Sequence, residues 1–230
     1  MLELEARAEP SRLMSWLSPL LAVVLMLGGG LLVFSALGKD PIEGFRVFFL
    51  NPLKDVYSLS ELLLKATPLM LCAIGLAIGF RAKVWNIGAE GQFMLGAVAA
   101  TGVALYFDGS ESGLLLPAMV IAGALGGAAW AAIPALLRTR FNANEILVSL
   151  MLVYVAQLFV SWLVFGPWKD PDGFNFPQSK MFGDAALLPA LLDGTRLHYG
   201  FMLAIAVLVA GHAFMSRSFA GFRMRVAGEA

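Results

Sequence analysis

Six stretches of this chain, at about 16–37, 59–80, 87–107, 114–137, 146–166 and 199–215, approach the roughly 20 apolar residues that a helix needs to cross a hydrocarbon core. No other feature constrains the fold so tightly. In lipid every backbone N–H and C=O must be paired within the protein, which leaves helices or a closed barrel, and runs of this length select helices. The composition agrees: 59% of the 230 residues are hydrophobic and 14% are charged, outside the usual balance of a water-soluble domain. The expected fold is therefore all-α, a polytopic membrane helix bundle of about six spans in one domain. The first stretch is read as a span and not as a signal peptide, because its apolar run is too long and its leader carries Glu3, Glu5 and Glu9.

Basic residues set the expected orientation. With the N-terminus inside, the inner flanks hold Arg7, Arg12, Arg81, Lys83, Arg138, Arg140, Arg217, Arg223 and Arg225. The outer side holds fewer, namely Lys39, Arg46, Lys54, Lys169, Lys180 and Arg196, all within two long loops. The short loop 108–113 carries only Asp108 and Glu111. Both termini are thus expected in the cytoplasm. Of the two long loops, 39–55 interleaves apolar and charged residues as a headgroup-layer segment would. The other, 167–198, is too long for a turn and reads either as a cap over the bundle or as a docking surface for an external partner.

Several chemistries are excluded. Lys plus Arg and Asp plus Glu are both 16, so net charge gives no reason to expect nucleic acid. The single Cys72 precludes an intrachain disulfide, and neither His198 nor His212 has a neighbour at metal-ligand spacing. No phosphate-binding G-x-x-x-x-G-K-[ST] loop and no hydrolase motif occurs, so the chain itself is not expected to be an enzyme, to hydrolyse ATP or to carry a cofactor.

Small residues mark places where helices would approach closely: Gly28, Gly29 and Gly30 in the first stretch, and Gly123, Gly126 and Gly127 in the fourth, where Gly123 and Gly127 share a face. Pro68 and Pro134 should kink or break their helices.

Two polar junctions share one layout. Arg81 and Lys83 are followed by Asn86 and Glu90 and then an apolar run; Arg138 and Arg140 are followed by Asn142, Asn144 and Glu145 and then another. In each, Asn is placed to cap the new helix and Glu to face its positive end, with Asn142 and Glu145 at capping-box spacing. Glu145 reads as a cap at the water interface. Glu90 reads as lying beyond the first turn, several ångströms into the membrane, on one face with Asn86, while Gln92 points the opposite way with Gly88. An ionisable residue at that depth faces a bundle interior, a partner or a water-filled cavity. Asn86, Glu90 and Gln92 are accordingly the candidate pathway residues, the alternative being that they only anchor the helix.

The segment "LLLKATPLMLCAIGLAIGFRAKVWNIGAEGQFMLGAVAA", followed by "LRTRFNANEILVSLMLVYVA", resembles the permease subunits of bacterial ABC importers of the simple-sugar and nucleoside class. The resemblance covers most of the chain. Asn86, Glu90, Gly91, Gln92, Asn144 and Glu145 occupy its motif positions, whereas Val153 stands where relatives often have Asn. It implies an inner-membrane subunit that forms a solute pathway, for nucleosides more than for ribose-type sugars. It also implies ATP-binding cassette subunits, a second permease subunit and an extracytoplasmic solute-binding protein as partners. The tail 216–230, with Arg217, Arg223 and Arg225, reads as a solvated basic flank or, through the resemblance, as the loop that docks on the ATP-binding subunit. Family members continue with further spans there, so the permease domain is expected to be incomplete. An ion-coupled secondary transporter or channel built on Glu90, and a non-transporting assembly partner, are the competing readings.

Overall fold

The computed structural model describes residues 11–174 and 176–229. Glu3, Glu5 and Arg7, with Glu9, lie outside the described residues, as does Ala230. Among the described residues helices dominate, and extended pairing is confined to isolated bridges between Lys169 and Ser179 and between Ala190 and His198. The chain divides into two compact units, Met1–Leu62 and Leu63–Ala230.

In the first unit the Ser11 side chain accepts from Met14 N–H and starts α1 (Arg12–Ala36). Gly38 turns the chain at φ +66°, a left-handed conformation that glycine adopts without Cβ strain. Asp40 Oδ1 then accepts from Ile42 N–H at 2.9 Å to cap α2 (Pro41–Phe45), which runs on into a π-helical turn at Arg46–Leu50. Phe45 packs edge-on against Phe34 and stacks on Phe49. The glycine triplet serves this turn. A Cβ on Gly30 would come within 2.9 Å of the Phe45 ring, while Gly28 and Gly29 meet nothing within 4 Å. Within the first unit the close approach expected there is therefore made at Gly30, by the Phe45 ring of α2.

α3 (Val56–Arg81) runs from the first unit into the second, which continues with α4 (Ala89–Tyr106), α5 (Leu115–Phe141), α6 (Glu145–Phe165), α7 (Gly200–Arg217) and α8 (Phe219–Glu229). Pro68 and Pro134 lie inside α3 and α5, and neither helix is broken there. A proline removes only one backbone donor, which a long helix can lose without being interrupted.

α4 and α5 form the tightest pair. A Cβ on Gly96 would lie 2.9 Å from Gly123 O, one on Gly127 3.1 Å from Gln92 O, and one on Gly126 2.5 Å from Ala99 Cβ. Missing side chains thus let two backbones touch, as the Gly123 and Gly127 spacing predicts. The 167–198 loop closes one end of this pair: Phe182, Ala185 and Ala186 pack against Ala104, Leu115 and Met119. Lys180 forms an ion pair with Asp108 at the same end. That contact lowers the Asp108 pKa and raises that of Lys180, each through the other's hydrogen bond and charge. This packing agrees with the first of the two readings of the loop, a cap, and leaves the docking surface open as the other.

Among the described residues five helices are long and apolar enough to cross a membrane, against the six stretches expected. The exception is α4, whose 18 residues include Glu90 and Gln92 in its first turn. Outward faces elsewhere are apolar, with Leu158 71% and Trp162 60% exposed on α6, as expected of surfaces that meet lipid.

Candidate functional site

The first polar junction is a compact knot. α3 ends with Lys83 at φ 51° and Val84 N–H donating to Gly79 O at 2.9 Å, a left-handed helix stop. The chain then extends through Asn86, whose Oδ1 accepts from Gly88 N–H at 2.8 Å and whose Nδ2 donates to Gln92 Oε1 at 3.2 Å. Ile87 N–H donates to Ser149 Oγ on α6 at 3.1 Å. Gly88 is the residue before the helix and has no side chain to cap it; a Cβ there would lie 2.9 Å from Ser149 Cβ.

These contacts correct the helical-wheel reading. Asn86 lies outside α4, in the turn before it, so it shares no helix face with Glu90. Its partner is Gln92, which the periodicity had placed on the opposite side. Glu90 is the second residue of α4, within the first turn and not beyond it, and its Oε1 accepts from Gln157 Nε2 of α6 at 3.4 Å. Gly91 faces α6: a Cβ would lie 3.1 Å from Val153 Cα and 3.3 Å from Trp130 Nε1. That indole N–H is buried without a hydrogen-bond partner. Ser149 and Gln157 were missed in the sequence; the available signal was that both are polar residues inside an apolar span.

The second junction repeats the first with its roles redistributed. Asn142 is not an N-cap but the last turn of α5, at φ 52°, with its N–H donating to Arg138 O and Ala143 N–H to Leu137 O. Asn tolerates this left-handed geometry because its short amide replaces lost backbone contacts. The cap of α6 is Asn144, whose Oδ1 accepts from Ile146 and Leu147 N–H. Glu145 is then the first helical residue, too early for a capping box with Asn142. It forms instead a 2.6 Å ion pair with Arg138, bridging the ends of α5 and α6.

Gln92 also lines a cavity of about 760 Å³ with Phe93, Gly96, Met119, Arg196 and His198. Glu90, on the α6 side, is not among its lining residues. At the end of the chain the three arginines separate: Arg217 and Arg223 are exposed, while Arg225 turns inward with its Nε buried.

From residue 58 to 230 the chain matches the family described as branched-chain amino acid transport system / permease component. It belongs to that family. A glucose ABC transporter permease of Haloferax volcanii is 37% identical over 241 residues, covering 99% of this chain and 63% of that protein. A guanosine ABC transporter permease of Bacillus subtilis is 30% identical, over 94% of this chain and 62% of its own length. A nucleoside ABC transporter permease of Lactococcus lactis is 27% identical, over 92% and 60%. The chain therefore spans less than two thirds of the length of these curated relatives. No solved structure matches it. Membership of this permease family and the five apolar helices among the described residues agree with a multi-pass membrane protein.

Proposed function

We propose that the chain is a membrane-spanning subunit of an ATP-driven importer that moves a nucleoside or simple sugar inward by alternating access. The observation that carries this reading is Gln92. It is held by Asn86 and lines a cavity within the range that suits small-molecule ligands, with Arg196 and His198 supplying further polar groups. Gln92 would offer the solute an amide donor and acceptor, and Asn86 would hold that amide in one orientation. Glu90, exposed and outside the lining of that cavity, would both steady α4 against α6 through Gln157 and place its carboxylate on the solute path, and Gly88, Gly91, Asn142, Asn144 and Glu145 would fix the two junctions.

The names of the relatives, glucose at one end and guanosine at the other, support a polar ring-bearing solute. ATP would be bound by separate cassette subunits seated on the exposed Arg217 and Arg223 of α7 and α8. A second permease subunit and an extracytoplasmic binding protein would complete the assembly, with both termini of this chain cytoplasmic. The test is uptake of radiolabelled guanosine and glucose by the chain reconstituted with its cassette subunits. Uptake that requires ATP and falls with Gln92→Ala supports the proposal. Uptake that ignores ATP and follows a proton or sodium gradient transfers it to an ion-coupled carrier.

A further inference from the structure

The molecule has a second cavity, remote from Gln92, and its chemistry suits a different ligand. It measures about 430 Å³ and lies between the C-terminal ends of α3 and α7 and the flank of α8. Its lining is mostly apolar, with Ile74, Ile78 and Leu208, and includes the polar residues His212 and Ser216 and the two basic residues Arg81 and Arg225.

The arrangement is tightly built. A Cβ on Gly228 would collide with Arg81 O, and one on Gly221 would lie 2.7 Å from Met215 Cα, so α8 is seated directly on the ends of α3 and α7. Arg225 Nε is buried and makes no hydrogen bond. Among the described residues no carboxylate stands within ion-pair distance of Arg81 or Arg225, since the ion pairs formed are Arg46–Glu43, Arg138–Glu145 and Lys180–Asp108.

Two neighbouring cations, one with a buried orphaned donor, call for an anion, because leaving a charged donor unpaired costs more than a satisfied contact returns. The apolar depth behind them calls for a hydrocarbon chain. One class of ligand has both parts. We infer that this crevice binds an anionic phospholipid, its phosphate held by Arg81 and Arg225 and an acyl chain lying along Ile74, Ile78 and Leu208. Basic recesses between membrane helices are where acidic headgroups bind, and the inner leaflet supplies them. The lipid would tie α8 to α3, which gives Arg225 a role distinct from that of the outward Arg217 and Arg223. The inference does not depend on which solute the chain moves.

The test is native mass spectrometry of the purified full chain in detergent, titrated with dioleoyl phosphatidylglycerol or dioleoyl phosphatidylcholine. The expected result is a preference of about tenfold for the phosphatidylglycerol. Arg81→Gln and Arg225→Gln should each remove most of that preference, and the exposed Arg223→Gln should keep it. Ile78→Trp, which fills the apolar depth and leaves both charges in place, should weaken binding of the same lipid; it decides the matter if an arginine variant does not fold. Equal binding of the two lipids, or loss of preference in Arg223→Gln as large as in Arg225→Gln, overturns the inference. So does full competition by millimolar inorganic phosphate, which would assign the arginines to a soluble anion.

Discussion

Asn86 satisfies two groups with one amide, and its value lies in that economy of position. Replacing it by Ala leaves Gly88 N–H without its acceptor and frees Gln92, at a cost of about 1–3 kcal/mol for partly buried groups. Thermal unfolding in detergent should show Asn86→Ala markedly destabilised and Asn86→Asp, which keeps the acceptor, closer to the parent. The two glutamates should separate by readout. Glu90→Gln retains an amide that can pair with Gln157, so the fold should hold while uptake falls. Glu145→Gln loses the charge that meets Arg138, so stability should fall by about 1–2 kcal/mol with uptake per folded molecule preserved. Equal and mild effects of both changes on uptake would remove the pathway role from this end of α4. Asn86, Glu90 and Gln92 were legible in the sequence as polar groups beside an apolar run, while Ser149 and Gln157, each isolated in an apolar span, were passed over. The pairing was not legible. Asn suits an N-cap, an Asx turn and a left-handed stop alike, so periodicity alone could not tell Asn86 in a turn from Asn142 ending a helix or Asn144 starting one.

At the scale of elements, the α4–α5 contact was readable from glycine spacing, yet the tightest position, Gly126, lies between the two residues that the spacing rule selects. Gly126→Ala should force the helices apart, since its Cβ would meet Ala99 Cβ at 2.5 Å and Leu95 O at 3.0 Å. The expected loss is about 1–3 kcal/mol, with Gly113→Ala, at a position open on all sides, as the unaffected control. The loop over the same helix pair depends on Lys180 and Asp108. The Asp108 pKa is lowered, so its contribution is present above the ordinary carboxylate range and is lost as pH falls through the lowered value. The Lys180 pKa is raised, so its contribution is lost only as pH rises through the raised value. Hydrogen exchange of the 176–198 segment should therefore be insensitive to the pair's titration around neutrality, once corrected for intrinsic rates. It should rise in acid, and in Asp108→Asn already at neutral pH, with α4 and α5 still protected.

For the whole molecule, the open quantity is how often the chain crosses the bilayer, and α4 decides it. Hydropathy removes α4 from the apolar helices because of Glu90 and Gln92, but its neighbours argue that it crosses. It lies alongside α5 from Gln92 against Gly127, through Ala100 near Gly123, to Ala104 packed with Leu115. α5 is long and apolar enough to span, so a helix in contact along that length occupies the same depth. At 1.5 Å per residue its 18 residues cover about 27 Å, close to the thickness of a hydrocarbon core. A polar first turn is tolerable when its side chains are paired, Gln92 with Asn86 and Glu90 with Gln157. The chain has a single cysteine, Cys72, so Cys72→Ser gives a clean background for labelling. In intact cells a membrane-impermeant maleimide should reach Glu111→Cys from outside. Val84→Cys and Ala220→Cys should react only after permeabilisation, as the basic flanks require if Arg81, Lys83 and Arg223 face the cytoplasm. Labelling of Val84→Cys and Glu111→Cys from the same side would mean that α4 enters the membrane without crossing it. Every element after it would then be inverted, and α8 would lie where no cassette subunit could reach it.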